Sequence, residues 1–132
     1  MGIDTPEKYS GYKLKREAAG CGVLQKYMAS LGKSTTKYAK KLVHVGDIVQ
    51  VDIRGYGYYG RALAMVYLSD GTCYNERVVA DGYACVYKYH GHKSKQLSWE
   101  EFNKLNRLMQ EAKKYKRGLW GRDYGVMECL CE

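Results

Sequence analysis

Two strand patterns around a glycine- and tyrosine-rich segment set the tightest limit on how this chain folds. Residues 48–53 (IVQVDI) alternate apolar and polar side chains, which is the period of a half-buried strand. Residues 61–68 (RALAMVYL) predict a second strand, which ends at the SDG turn of residues 69–71. Residues 55–60 (GYGYYG) are too flexible and too aromatic for a core. They are therefore predicted as an exposed, hairpin-like loop between the two strands.

Short helices are predicted upstream of these strands. One lies at about residues 23–31, within a segment rich in lysine and glycine. Ser34 is predicted to cap a second helix, because a serine hydroxyl accepts hydrogen bonds from the free amides of a first turn. That second helix carries Tyr38, Ala39 and Leu42 on one face.

A short helix, a short strand and a long helix are predicted downstream. Residues 72–81 form the short helix, which a glycine stops, and residues 83–89 (YACVYKY) are extended. Ser98 and Glu101 make a capping box for the long helix, which Gly118 ends. The order of elements predicts an α+β fold, and two or three strands cannot close a barrel by themselves. The apolar stripe of the long helix comprises Phe102, Leu105, Leu108, Met109, Ala112 and Tyr115.

The composition indicates one basic domain. The 132 residues carry a net charge of +8, with basic clusters at residues 13–16, 37–41 and 113–117. Such a surface suits a polyanion such as nucleic acid, and its alternative role is solubility alone. Fourteen tyrosines against one phenylalanine favour the first interpretation, because a tyrosine ring stacks on a base. No apolar run approaches the roughly 20 residues that span a membrane, so we expect a soluble chain.

Five cysteines leave the redox state open. Cys129 and Cys131 are the one close pair, and neither a CxxC motif nor a histidine–cysteine spacing typical of zinc is present. A metal site at this pair is one interpretation, and one or two disulfides in an exported protein are the other. The first residues hold no apolar block of a secretory signal, so the compartment is not assigned.

Four segments resemble, in order and spacing, the staphylococcal nuclease (thermonuclease) family. They are residues 3–7 (IDTPE), 58–71 (YYGRALAMVYLSDG), 75–89 (NERVVADGYACVYKY) and 111–120 (EAKKYKRGLW). The resemblance implies a five-stranded OB barrel with packed helices. In that family DTPE lies where the third strand ends, so we expect the first three strands to be absent from this chain. The implied domain covers residues 1–121, followed by a C-terminal tail at residues 122–132.

The resemblance implies calcium-dependent hydrolysis of phosphodiester bonds in DNA or RNA. By motif position, Asp4 is similar to a calcium ligand, and Thr5 contributes its carbonyl or holds a metal-bound water. Glu7 is similar to the general base, and Arg61 to the arginine that clamps the phosphate. Calcium suits such a site because it prefers oxygen ligands.

Three tyrosines complete the implied nucleic-acid site. Tyr59 is similar to the tyrosine that contacts the terminal phosphate or sugar, and Tyr87 and Tyr89 to the two that line the nucleotide pocket. Tyr58 stands where the staphylococcal enzyme has a lysine, which removes one phosphate contact.

Two functional positions of the family have no counterpart here. The other metal-binding aspartate and the second catalytic arginine would fall before Met1. Losing one charge-stabilising group typically lowers the rate by ~10²- to 10³-fold, so we expect impaired activity from this chain. The alternatives are a non-catalytic, OB-like nucleic-acid-binding module and a protein-interaction domain. An open barrel edge would also allow self-association through strand pairing.

Overall fold

The described part of the chain contains both helices and short strands. The computed structural model describes residues 3–4, 6, 8, 11–56, 62–86 and 97–131, with the backbone alone at residues 3, 4, 62 and 63. The predicted α+β class is confirmed at this level. In chain order the elements are β1 (Ile3–Asp4), α1 (Tyr12–Gly20), α2 (Gln25–Leu42), β2 (Gln50–Tyr56), β3 (Ala62–Tyr67), α3 (Tyr74–Ala80), β4 (Cys85–Val86), α4 (Trp99–Lys114), α5 (Leu119–Arg122) and α6 (Tyr124–Leu130).

The first half of the chain is more helical than the sequence predicted. The expected helix at residues 23–31 and the expected Ser34-capped helix are one continuous helix, α2. The cap at Ser34 was wrong, because its hydroxyl donates to the carbonyl of Ser30, one turn earlier, at 3.2 Å. A serine that satisfies its own hydroxyl inside the helix permits the helix to continue. Helix α1 was not predicted, and it buries Leu14 and Ala18.

The two predicted strands pair as β2 and β3, but β2 continues through Gly55 and Tyr56, which were predicted as loop, and residues 57–60 of that loop lie outside the described ranges. The strands pair antiparallel from Gln50 opposite Tyr67 to Tyr56 opposite Ala62, with an irregularity in the register after Ile53. Strand β2 is less buried than its alternating pattern predicted, since Val51 is 48% exposed. Among the described strands β2 pairs with β3 alone. Self-association through its open edge stays a prediction.

The long helix α4 matches its predicted boundaries and cap. Ser98 Oγ accepts from the amide of Glu101, and the Glu101 carboxylate accepts from the amide of Ser98, which is the predicted capping box. The predicted apolar stripe is buried along most of its length, but Tyr115 caps the carboxyl end and is 61% exposed. Gly118 begins α5 instead of ending α4, which stops at Lys114.

The core lies between α2, α3, α4 and the carboxyl-terminal helices. Tyr38 on α2 stacks on Tyr83 with ring centroids 4.3 Å apart, and its hydroxyl donates to the Arg77 carbonyl at 3.1 Å. The largest fully buried side chains belong to Trp120, Met28, Leu31, Met65, Leu105, Leu119, Met127, Val78, Val79 and Val86.

The carboxyl-terminal residues pack into the same core. Residues 122–132 were expected as a tail, yet they contain α6, which buries Val126 and Met127. Two disulfides, Cys21–Cys129 and Cys85–Cys131, attach this helix to the rest of the chain. The structure therefore favours the disulfide interpretation of these cysteines over the metal one. None of the described helices has the length and apolar character that crossing a membrane requires.

Candidate active site

The short strands β1 and β4 bring two predicted site segments together. They pair antiparallel, with Ile3 opposite Val86 and Asp4 opposite Cys85. Tyr87 follows Val86 in the sequence. The backbone of the predicted calcium ligand Asp4 therefore lies beside the strand that leads to a predicted nucleotide-pocket tyrosine. The sequence alone did not predict this strand pair.

Most of the predicted site residues lie outside the described part of the chain. For Asp4 the structure gives the backbone and not the side chain. The roles assigned to all of them stay predictions. The residues outside the described ranges are Thr5, Glu7, Tyr59, Arg61, Tyr87 and Tyr89.

Strand β3, which begins one residue after Arg61, is anchored by the side chain of Asn75. The amide of Val66 donates to Asn75 Oδ1 at 3.0 Å, and Asn75 Nδ2 donates to the Ala64 carbonyl at 3.2 Å. Asn75 is 3% exposed, so these bonds satisfy a buried amide group. Asn75 therefore fixes α3 to the strand that leads away from the predicted phosphate-clamping residue.

This role of Asn75 was not predicted from the sequence. The NERVV segment carries part of the family resemblance, but no function was expected of its asparagine. A local signal was available, because a polar amide at the start of a short helix that otherwise buries valines needs partners of its own.

The segment that enters β4 is held by α2. Thr35 Oγ1 donates to the Tyr83 carbonyl at 3.3 Å, and Ala84 and Cys85 are buried. On the other side, the amide of Val86 donates to Met109 Sδ at 3.4 Å. Helix α2 thus contacts the residue that precedes β4, and α4 contacts β4 itself.

Arg54 on β2 forms an ion pair and is not a free phosphate-binding group. Its Nη1 and Nη2 donate to the two carboxylate oxygens of Glu101 at 2.7 and 2.8 Å, and its Nε donates to Asp52 at 2.9 Å. The bidentate bond to Arg54 lowers the pKa of Glu101 from 4.5 to about 2. The same bond raises the pKa of Arg54. This guanidinium is therefore already bonded to two carboxylates.

The residue opposite Asp4 offers no sulfur ligand. Cys85, the residue opposite Asp4, is disulfide-bonded to Cys131 and offers no thiolate. Within the described ranges, no group of three or more histidine, cysteine or acidic side chains could hold a metal ion. Asp4, Thr5 and Glu7 carry oxygen donors, and a set of oxygen donors fits a hard cation such as calcium.

The described surface carries the basic clusters that the sequence predicted. Lys37, Lys40 and Lys41 are exposed along the carboxyl-terminal half of α2. Lys114 and Arg117 are exposed near the end of α4, and both contact the ring of Tyr115, at 5.4 and 5.3 Å from its centroid. The α2 cluster is the more available of the two for an anionic partner.

Comparisons with known proteins point to one family. A family model described as "Staphylococcal nuclease homologue" matches residues 1–122. The chain is 25% identical over 130 residues to Endonuclease YhcR of Bacillus subtilis (strain 168). That match covers 97% of this chain and 10% of the Bacillus protein. The chain therefore spans about a tenth of the length of this relative.

Proposed function

Because the chain belongs to the staphylococcal nuclease homologue family, we propose that it hydrolyses phosphodiester bonds of nucleic acid with calcium as its cofactor. The observation that carries the proposal is the pairing of β1 with β4, which sets the backbone of Asp4 opposite Cys85. In a chain of this family, that pairing joins the segment of the proposed metal ligands to the segment of the proposed nucleotide-binding tyrosines.

Asp4 and Thr5 would hold the calcium ion. Both offer oxygen donors, and the disulfide at Cys85 keeps a competing thiolate away from this position. When bound, calcium supplies a positive charge that polarises the phosphate group. The carboxylate of Asp4 supplies part of the negative charge that a divalent cation requires. Calcium specificity is part of the proposal.

Glu7 and Arg61 carry the chemistry in this proposal. Glu7 acts as general base and takes a proton from the attacking water, because in-line attack on an anion needs an oriented nucleophile. Arg61 donates hydrogen bonds to the phosphate oxygens on which negative charge develops. What supports this role is its position one residue before β3, a strand anchored by Asn75.

Tyr59, Tyr87 and Tyr89 would bind the substrate strand. Their rings can stack on bases, which works for any base because each base has a π-face. The exposed lysines of α2 would add attraction for the phosphate backbone that does not depend on sequence. The proposed substrate is therefore DNA or RNA without sequence preference.

The decisive experiment measures calcium-dependent cleavage with a variant of the proposed base. Glu7→Gln keeps the shape of the side chain and removes the proton acceptor, so we expect cleavage to fall by at least ~10²-fold. Glu100→Gln is the matched control, because Glu100 is an exposed glutamate in the first turn of α4. Glu7→Gln protein as active as the parent would remove Glu7 from the mechanism.

A non-catalytic nucleic-acid-binding module is the second candidate function, and the exposed basic cluster on α2 favours it independently of the site. Under this alternative the parent chain binds DNA in a salt-sensitive manner and does not cleave it at any calcium concentration. A nuclease is distinguished by cleavage that a calcium chelator stops.

A further inference from the structure

The two disulfides attach the same helix to different parts of the fold. Cys129 and Cys131 lie at the carboxyl end of α6, two residues apart. Cys129 bonds to Cys21, which follows α1, whereas Cys131 bonds to Cys85 in β4. Only the second bond therefore reaches a strand of the candidate active site.

Helix α6 is a firm anchor for these bonds. Val126 and Met127 are buried in the core, and the carboxylate of Asp123 accepts from the amide of Val126 at 3.1 Å. The hydroxyl of Tyr27 on α2 also donates to Asp123, at 2.5 Å. A group bonded to α6 is therefore held relative to the core.

The strand pair that Cys85 belongs to is too short to be rigid by itself. Strands β1 and β4 contribute two residues each, and such a ladder contains few hydrogen bonds. Asp4 lies directly opposite Cys85 in this ladder. Any movement of β4 would thus displace the backbone of Asp4, the proposed calcium ligand.

We infer that the Cys85–Cys131 disulfide is a positioning element of the active site, which holds β4, and through it Asp4, in the geometry that binds the metal ion and substrate. The inference rests on the proposed function. The Cys21–Cys129 disulfide has no such role and only stabilises the fold. The Cys21–Cys129 disulfide is therefore a control for the Cys85–Cys131 disulfide, because both attach α6 and only the second reaches the candidate site.

A positioning role and a purely structural role predict different effects when each disulfide is removed. The Cys21–Cys129 bond closes 108 residues and the Cys85–Cys131 bond closes 46. In the chain-entropy account the longer loop gives at least as much stabilisation. A purely structural role would therefore make loss of Cys21–Cys129 at least as harmful as loss of Cys85–Cys131.

The experiment compares Cys85→Ala/Cys131→Ala with Cys21→Ala/Cys129→Ala, both well below their melting temperatures. For the first variant we expect the calcium concentration at half-maximal DNA cleavage to rise by about 10-fold, as when a group supporting a metal ligand is lost. For the second variant we expect that concentration to stay unchanged. Equal effects of the two double variants would overturn the inference and leave the proposed nuclease function standing.

Hydrogen exchange provides a readout that does not depend on activity. We expect faster exchange in the peptides containing Ile3 and Val86 when Cys85 and Cys131 are replaced, and no change there when the other pair is replaced. If the oxidised parent chain does not cleave nucleic acid, the proposed function fails, and this exchange difference still tests the positioning role. Equal exchange in the two variants would overturn the positioning role.

Discussion

At the scale of single residues, Glu101 performs two tasks with one carboxylate. It accepts from the amide of Ser98 at 3.0 Å, which caps α4, and it accepts two hydrogen bonds from Arg54 on β2. The side chains of Arg54 and Glu101 are 23% and 26% exposed, so water screens this pair less than a surface ion pair. The carboxylate therefore connects the start of the long helix to strand β2 of the hairpin.

We predict that Glu101→Gln destabilises the fold by roughly 1.5 to 3 kcal/mol at pH 7, the usual value for hydrogen bonds to charged groups. The pKa of Glu101 is lowered from 4.5 to about 2 in the folded chain. The contribution of the ionised Glu101 carboxylate to the free energy of unfolding is therefore fully present above pH 4.5 and disappears as the pH falls through 2. Urea unfolding of both proteins between pH 7 and pH 2 measures the difference, which should shrink with the pH.

The control for Glu101→Gln is Lys104→Gln. Lys104 lies 3.1 Å from Glu76, and its side chain is 48% exposed, so this pair is worth less than about 1 kcal/mol. If Lys104→Gln lowers the free energy of unfolding as much as Glu101→Gln does, the loss of any ion pair on α4 has this effect. A difference between parent and Glu101→Gln that does not change with pH would contradict the assigned ionisation.

At the scale of elements, the end of α3 and the start of α5 meet backbone to backbone at two glycines. A Cβ at Gly82 would lie 2.0 Å from the Arg117 carbonyl oxygen, and one at Gly118 would lie 2.4 Å from the Asp81 carbonyl oxygen. The amide of Leu119 donates to the Gly82 carbonyl at 3.0 Å. The junction that starts α5 therefore packs on the end of α3 only because neither glycine has a side chain.

Gly82→Ala should therefore be much more harmful than Gly46→Ala. Both glycines have positive φ, +86° and +95°, so the backbone strain of an alanine is similar at the two positions. Among the described residues, apart from its two chain neighbours, no heavy atom lies within 4 Å of a Cβ at Gly46. We expect a loss of about 1 to 2 kcal/mol at Gly46 and roughly 3 kcal/mol or more at Gly82, measured by urea unfolding. Equal losses would mean that the close contact contributes nothing.

The elements that the sequence predicted well are those specified by neighbouring residues. The hairpin followed from alternation and turn residues, and α4 from the capping box at Ser98. The packing of α2 and of α6 depends on partners far along the chain, such as Tyr83 for Thr35 and Cys21 for Cys129. Local patterns contain no information about such pairs. For that reason the disulfide connectivity was left open.

In the candidate site, too, some features could be predicted from neighbouring residues and others could not. Motif position was enough to propose Asp4, Glu7 and Arg61, because their chemistry belongs to short sequence segments. The pairing that sets Asp4 opposite Cys85 joins residues about 80 positions apart, and a two-residue strand has no pattern of its own. The strand pairing that supports the site could therefore not be predicted from the sequence. The candidate chemical groups of the site could be predicted.

At the scale of the whole molecule, charge governs how the chain meets a nucleic acid. The net charge of +8 combines lysines that are paired with carboxylates and lysines that are not. Lys13, Lys104 and Lys113 lie 3.1 to 4.0 Å from carboxylate oxygens. Lys37, Lys40 and Lys41 on α2 form no ion pair within the described ranges and are exposed. Unpaired lysines are the ones that can replace counterions on a phosphate backbone.

We predict that DNA binding in the absence of calcium weakens steeply with salt, and that replacing Lys37, Lys40 and Lys41 by Gln reduces this dependence. The slope of log K against log salt should become shallower by about 0.9 for each lysine that contacts a phosphate. Replacing the paired Lys13, Lys104 and Lys113 by Gln removes the same charge and should change the slope less. Fluorescence anisotropy of a labelled duplex measures both slopes. Because the two variants have equal net charge, identical slopes would mean that overall charge, and not the α2 cluster, attracts the nucleic acid.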